Sequence, residues 1–423
     1  MTLTLAILLS SAVTILTSLV LRNLASGESK IEHKIAHLFG VADGQFTRSI
    51  GHLLGPPVVA GNRVTALHNG DEIFPAMLEA IRGAEKTITF ETYIYWEGEI
   101  AREFSDALSE RAKAGVKVHV LLDWLGSKKV KEDLIEEMRR SGVDVERYHP
   151  LRWYDLDRVN NRTHRKLLVV DGRIGFTGGV GIADQWSGKG DSPDHWRDTH
   201  FHIEGPVVAD VQAAFMDNWL KIRSEVLHGE AYFPPLEEAG TVAAQLFKSS
   251  PRQGSESVRL LFLLAIASAR TSIRIGNPYF VPDDLAVATL IAARKRGVLI
   301  ELVLMGQVTD SEFTRKASRS RWGPLLKAGV AIYEFQPTLY HNKLMVVDDC
   351  LVSVGSTNID NRSFCLNDEA NLNVLDTAFA QEQVRQFNKD KAHSRPITLE
   401  AWRKRPRKEK LLEYAAGLFR SQL

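Results

Sequence analysis

The chain has 423 residues, of which 44% are hydrophobic and 25% charged, with a formal net charge of +1. That is the composition of a packed globular protein long enough for two domains, and its balance of charge excludes the overall basicity of a nucleic-acid coat. The two cysteines, Cys350 and Cys365, are too few for a disulfide framework or a thiolate zinc site.

From Leu3 to Leu21 no residue is charged. A helix of that length approaches the roughly 30 Å thickness of a bilayer core, so residues 1–24 are expected to form a membrane anchor. A cleaved signal normally opens on a basic stretch, which Met1 and Thr2 do not supply. Arg22, Lys30 and Lys34 follow, and the positive-inside bias puts the main body on the cytoplasmic side. Residues 25–64 read as a partly helical connector, broken at Gly55-Pro56-Pro57.

An amphipathic helix pattern then runs through Ile73, Met77, Leu78 and Ile81 and leads into the alternating run Thr87–Tyr95. A second helix, Ile100–Ala114, stops at Gly115 before the strand Val116–Leu122, and a third, near Lys131–Ser141, stops at Gly142 before another strand. Helices alternating with strands imply right-handed crossovers and a largely parallel sheet covered on both faces.

The next segment is His164-Arg165-Lys166-Leu167-Leu168-Val169-Val170-Asp171, and it returns 177 residues later as His341-Asn342-Lys343-Leu344-Met345-Val346-Val347-Asp348. His and Lys two apart share one face of a strand. A turn and a second apolar run follow each copy, ending in Gly178-Gly179-Val180-Gly181 and Gly355-Ser356-Thr357-Asn358. Strand, turn and strand closing on small residues gather His, Lys and backbone N–H groups into a phosphate-sized site, present twice. Other stretches repeat as well: Ala265–Ile273 parallels Ala80–Ile88 at an offset of 185, and the helix end at Gly297 parallels that at Gly115 at 182. The chain is therefore expected to be α/β, with two homologous units at 65–232 and 250–395 separated near Phe233-Pro234-Pro235.

The last segment, 396–423, carries a cluster of six basic residues and one acid between Trp402 and Lys410, followed by apolar residues at Leu411, Leu412, Ala415, Leu418 and Phe419. Such a tail either rests on an anionic membrane or frays in solvent.

Histidine attacks phosphorus and also delivers protons near neutral pH, and two copies divide those tasks: one imidazole must be neutral, the other protonated. Lys166 and Lys343 can neutralise the non-bridging oxygens of a phosphodiester. This chemistry calls for no metal or other cofactor, and a metal site built from His164, His341, His195 and His200 lacks recognisable ligand spacing. Each histidine needs a partner on its other ring nitrogen. Asp198, 34 residues after His164, and Glu369, 28 after His341, are available. Asp171 and Asp348 open turns, so they either join the chemistry or brace the site. Tyr93, Tyr95 and Trp96 border the site or fill the core; Arg319 and Arg321 are second-rank phosphate candidates.

The doubled motif resembles that of the phospholipase D superfamily, whose signature is a pair of HxKxxxxD segments each trailed by a Gly-Ser-x-Asn-like element. Phe90–Trp96, Ala114–Val118, His195–His200, Ala317–Ser320 and Gly355–Ser363 are most similar to the bacterial cardiolipin synthases. The resemblance implies two phospholipase D-like α/β units packed about a pseudo-twofold, with catalytic His164, Lys166, Asp171, His341, Lys343 and Asp348. It implies ping-pong transfer of a phosphatidyl group from phosphatidylglycerol through a phosphohistidine, with a phospholipase D-type hydrolysis by water as the alternative. It also implies acids crossing between halves, Glu369 to His164 and Asp198 to His341, supported by Ser356, Asn358 and Gly179. Gly181 stands where the family commonly has asparagine. The partners implied are a phospholipid and a membrane, and no nucleic acid.

Overall fold

The computed structural model describes residues 3–24, 33, 35–150, 160–250 and 256–423. Lys30, Lys34 and most of the early connector lie outside them. The first half contributes strands β1 (Val59–His68), β2 (Thr87–Thr92), β3 (Lys117–Asp123), β4 (Asp144–Tyr148), β5 (Arg162–Thr163), β6 (Leu167–Val170), β7 (Ile174–Gly178) and β8 (Thr199–Glu204). The second contributes β9 (Val242–Ser249), β10 (Ser272–Asn277), β11 (Leu299–Leu304), β12 (Ala331–Phe335), β13 (Leu344–Val347), β14 (Leu351–Gly355), β15 (Asn367–Leu375) and β16 (Ser394–Ile397).

All but β5 lie on one continuous path, β16-β12-β11-β10-β13-β14-β15-β9-β1-β8-β7-β6-β2-β3-β4. Read outward from the β9–β1 junction, the two halves carry the same order, with β16 added at one edge. The duplication is thus a pseudo-twofold, and β1 and β9 pair antiparallel at its centre. The helix ends at Gly115 and Gly297 match across it, with φ of 94° and 99°, left-handed positions that favour glycine.

Two expectations change. The sheet is mixed rather than largely parallel: the consecutive parallel runs are β2-β3-β4 and β10-β11-β12. The motif hairpins β6–β7 and β13–β14 enter antiparallel and turn the remainder of each sheet with them. Most of β1 falls within the expected connector, residues 25–64. It is a central strand instead, and among the described residues the connector's helix runs Gly44–Leu54, capped by Asp43.

Helices Asn69–Arg82 and Glu99–Lys113 bury Ile73, Phe74, Met77, Phe104 and Leu108 against Phe90 and Val120 of the sheet. Each such side chain contributes roughly 1.5–3 kcal/mol. Beneath the pseudo-twofold, Val169, Phe201 and Ile203 pack in one core with Leu246, Val346 and Leu372, so the halves share their interior.

At the N-terminus Leu3–Leu24 forms a 22-residue helix with Leu5, Ile7, Leu8, Leu9, Val13 and Ile15 exposed. Among the described residues no helix is long and apolar enough to cross a membrane.

Candidate functional site

His164 and His341 precede β6 and β13, and each meets the other half of the molecule before its strand begins. The backbone N–H of His164 donates to the Asp368 carbonyl and that of His341 to the Arg197 carbonyl, both at 2.8 Å. Residues on either side extend the contact: Arg162 and Thr163 of β5 pair in parallel with Asn367 and Asp368, and Tyr340 bridges Arg197. The next residue after each bridged carbonyl is an acid. Glu369 therefore lies 3.0 Å from His164 Nδ1 through both oxygens, and Asp198 lies 2.7 Å from His341 Nδ1.

The four groups are buried. Burial pulls His164 down to about 4 against the attraction of Glu369, and burial followed by Lys343 pulls His341 below the ordinary histidine value. Burial pushes the acids the other way, but the combined pull of His164, Lys166 and the Ser356 hydroxyl at Glu369, and of His341, Lys343 and the Thr199 N–H at Asp198, outweighs it, so both stay below the usual carboxylate range. Each resting pair is a neutral imidazole and a carboxylate. With the carboxylate accepting from Nδ1–H, Nε2 carries the lone pair.

The lysines are equally matched. Nζ of Lys166 and of Lys343 donates to the carbonyl of its own motif histidine at 2.7 Å, and Lys343 also lies 3.1 Å from both ring nitrogens of His341. Burial lowers Lys166 to about 7, with Lys343 the next cause, and burial lowers Lys343 to about 8. Lys343 lies close enough to depress Lys166, and two such cations suit an anion held between them.

The symmetry ends at the small-residue clusters. Ser356 donates its hydroxyl to Glu369 and accepts from Ala370 N–H at 3.0 Å. Its counterpart is Gly179, where a Cβ would stand 2.3 Å from Asp198 Oδ1. In the first half the missing hydroxyl is replaced by Trp186, whose Nε1–H donates to Asp198 at 3.0 Å and whose ring lies 5.3 Å from that of His341. Gly181 is packed against Ile94, while Asn358 is buried with its Oδ1 unbonded among the described residues.

Asp171 and Asp348 are not brought to the histidines. They sit beyond β6 and β13 at left-handed φ of 52° and 53°, the far ends of extended segments of roughly 20 Å. The Asp171 carboxylate accepts from the backbone N–H of Glu85, Lys86 and Thr87 at 2.7–2.9 Å, and that of Asp348 from Arg270, Thr271 and Ser272 at 2.7–3.0 Å. These bonds tie each carboxylate to the loop that launches β2 or β10. Arg319 and Arg321 are also elsewhere, held by Glu334 and Glu413 and by Asp284. Tyr93 borders the site, its ring 5.2 Å from that of His164, whereas Tyr95 is buried and donates to the Ala101 carbonyl. His195 and His200 do not join the pair as ligands: among the described residues no group of His, Cys, Asp or Glu could hold a metal ion.

Sequence reasoning missed the buried arginines. Arg165 reaches the Glu369 carbonyl at 3.3 Å while held by Ala214 O, Ser249 O and Asp217. Arg197, paired with Asp390 at 3.0 Å, clamps the Asp198 carbonyl and Thr199. Arg165 occupies the variable position of the His-x-Lys motif and Arg197 precedes Asp198. Their adjacency was the only available signal.

Comparison with known proteins agrees with this architecture. A family profile described as cardiolipin synthase, phospholipase D-like domain, matches residues 77–192 and 262–391. The cardiolipin synthase of Geobacillus kaustophilus is 36% identical over 365 residues, covering 86% of this chain and 72% of that protein. Cardiolipin synthase 1 of Bacillus cereus is 34% identical over 369 residues, covering 85% and 72%. The phosphatidylserine synthase of Haemophilus influenzae shares the fold, with a TM-score of 0.71 at 15% identity over 90% of this chain and 99% of that one. This chain belongs to the cardiolipin synthase family of phospholipase D-like proteins.

Proposed function

We propose that the protein is a membrane phosphatidyltransferase that joins two phosphatidylglycerol molecules into cardiolipin and releases glycerol. The observation that supports this best is the pair of neutral imidazoles, each with a carboxylate from the opposite half on Nδ1 and a lysine beside it. In the first step Nε2 of His164 bonds to phosphorus and the bond from phosphorus to the glycerol oxygen breaks. His341, protonated once the anionic substrate is bound, gives its proton to that oxygen. In the second step His341 takes the proton back from the primary hydroxyl of another phosphatidylglycerol. That oxygen attacks phosphorus, the N–P bond breaks and His164 is restored. One phosphodiester replaces another, so no external energy source is needed.

Lys166 and Lys343 neutralise the non-bridging oxygens as the phosphorus becomes five-coordinate. Asp171 and Asp348 act as braces in this reading, while Ser356, Gly179 and Trp186 settle the two acids. The exposed apolar residues of Leu3–Leu24 support attachment to a membrane, and we assign the protein to the bacterial inner membrane.

Purified protein supplied with phosphatidylglycerol labelled in its headgroup should release labelled glycerol and form cardiolipin. Phosphatidic acid as the sole product would instead establish water as the acceptor. His164→Ala and His341→Ala should each abolish transfer, and substantial activity in either variant would remove the two-histidine mechanism.

A further inference from the structure

The helix Arg407–Leu418 is built the wrong way round for a surface helix. The side it turns to the protein carries Glu413, only 3% exposed, with Ala416 and Gly417, while Leu411, Tyr414 and Leu418 on the outer side are 67%, 66% and 65% exposed. A helix that merely covers a globular core turns its apolar stripe inward. Here the inner contact is polar and specific. Glu413 bridges Arg319 at 2.9 Å and Arg405 at 2.6 Å, Trp402 lies against Gly323 and donates to the Arg319 carbonyl at 3.0 Å, and Gly417 approaches Ser320. The segment is therefore docked on the second half, and its apolar face is held outward.

Leu412, Phe419 and Phe313 extend that face, the two phenylalanine rings lying 6.0 Å apart. Arg403, Arg407, Lys408 and Lys410 flank it, exposed and without ion pairs among the described residues. The segments that carry this face are tied to those that carry the candidate site by two routes. Beyond the helix, the carbonyls of Ser421, Gln422 and Leu423 accept from Asn361 Nδ2, Arg362 Nη2 and Arg362 N at 2.6–3.1 Å, a few residues after Asn358. Phe313 follows Asp310, whose carboxylate binds the Tyr279 hydroxyl, and the Tyr279 ring lies 6.3 Å from that of His341.

We propose that this outward face is the surface through which the protein meets an anionic phospholipid bilayer, bringing the His164–His341 site to the headgroups. The proposal rests on the reading of that site as one acting on phospholipid. A bilayer suits the face better than a second copy of the chain, because self-association about a twofold would oppose its four cations, whereas an anionic leaflet attracts them while taking up the apolar stripe.

The test uses the full chain with Cys350→Ser, Cys365→Ser and Leu411→Cys, carrying an environment-sensitive fluorophore at position 411. Phosphatidylglycerol vesicles should shift its emission to the blue, and phosphatidylcholine vesicles should do so far less. In an otherwise unmodified chain, Leu411→Glu with Tyr414→Glu and Leu418→Glu should lower transfer in phosphatidylglycerol vesicles at least tenfold, while turnover of a short-chain phosphatidylglycerol in detergent micelles stays within twofold. An unshifted probe on active protein in anionic vesicles would overturn the proposal. So would a blue shift that needs only higher protein concentration, the result expected if a second copy covers the face. Absence of phosphatidylglycerol turnover by the unsubstituted chain, with the probe still entering the bilayer, would defeat the lipid-substrate reading and leave the surface standing.

Discussion

His164 and Asp368 belong to opposite halves of the duplication, yet the backbone N–H of the first donates to the carbonyl of the second at 2.8 Å. The bond fixes the register of the motif against the strand that carries Glu369, and its twin between His341 and Arg197 does the same for Asp198. Placement of each imidazole against its acid is thus written into the packing of the halves. In the proposed reaction each acid fixes a tautomer and stabilises the imidazolium that forms when its ring takes a proton.

Glu369→Gln and Asp198→Asn should therefore lower kcat by about 10²–10⁴-fold with little change in KM, since an amide keeps the shape but no longer holds the Nδ1–H tautomer. A rapid denaturing quench of the unsubstituted protein with chain-labelled phosphatidylglycerol should leave label on His164. Label recovered on His341 would reverse the assignment of nucleophile and acid.

The lysines give a pH dependence whose sign is fixed. Lys166 near 7 and Lys343 near 8 lose their charge as pH rises through those values, so the empty site weakens as an anion trap in alkali. Sulfate, whose own charge is constant over the range, should bind about tenfold or more weakly at about pH 9 than at about pH 6. Lys343→Met should weaken binding at the lower pH and flatten the profile. Calorimetric titration measures both, and an affinity that is level or rising with pH in the unsubstituted protein would exclude the two-ammonium trap.

The duplication and the doubled His-x-Lys were legible because they are local patterns at a near-constant offset. The strand order followed only in part. The hairpin after each motif was visible, but that it would make most of the sheet antiparallel depends on long-range pairings such as β15 with β9, which no local pattern encodes. β1 was hidden by Gly61-Asn62-Arg63, where a buried asparagine binds the carbonyls of Val59 and Val242 in place of regular alternation. Within the site, Asp171 and Asp348 drew attention by sharing the repeat, yet the repeat conserves a bracing geometry as faithfully as a reacting one. Trp186 was unreadable, since its bond to Asp198 depends on tertiary packing across the cluster that contains Gly179.

Glu91 predicts an opposite response in stability. It is fully buried, accepts from Asn218 at 2.7 Å and from Thr163, and is raised by burial to about 7. A carboxyl raised in the fold contributes fully below its unfolded value and loses that contribution as pH rises through the folded one. Glu91→Gln keeps the acceptor and removes the titration. Its advantage over the unsubstituted protein in thermal unfolding should grow between about pH 5 and about pH 7.5 and then level, reaching on the order of 1–3 kcal/mol. A difference independent of pH would mean that Glu91 titrates as an ordinary acid.

Gly179 and Trp186 together explain how one half manages without the serine that the other half uses. A side chain at 179 would begin 2.3 Å from the Asp198 carboxylate, which is already tied to Trp186, Thr199 N–H and His341. Gly179→Ser should therefore displace Asp198 and lower kcat by at least tenfold, even though it recreates the Ser356 arrangement on paper. Trp186→Phe should lower kcat by a smaller factor, because the carboxylate loses one donor, about 1.5–3 kcal/mol of charge-assisted bonding, but keeps its place. With both substitutions the serine hydroxyl can serve as the lost donor and the carboxylate has room to shift toward the vacated indole, so the double variant should be faster than Gly179→Ser alone. Steady-state rates of the four proteins close the cycle, and strictly additive losses would mean that the two residues act on Asp198 independently.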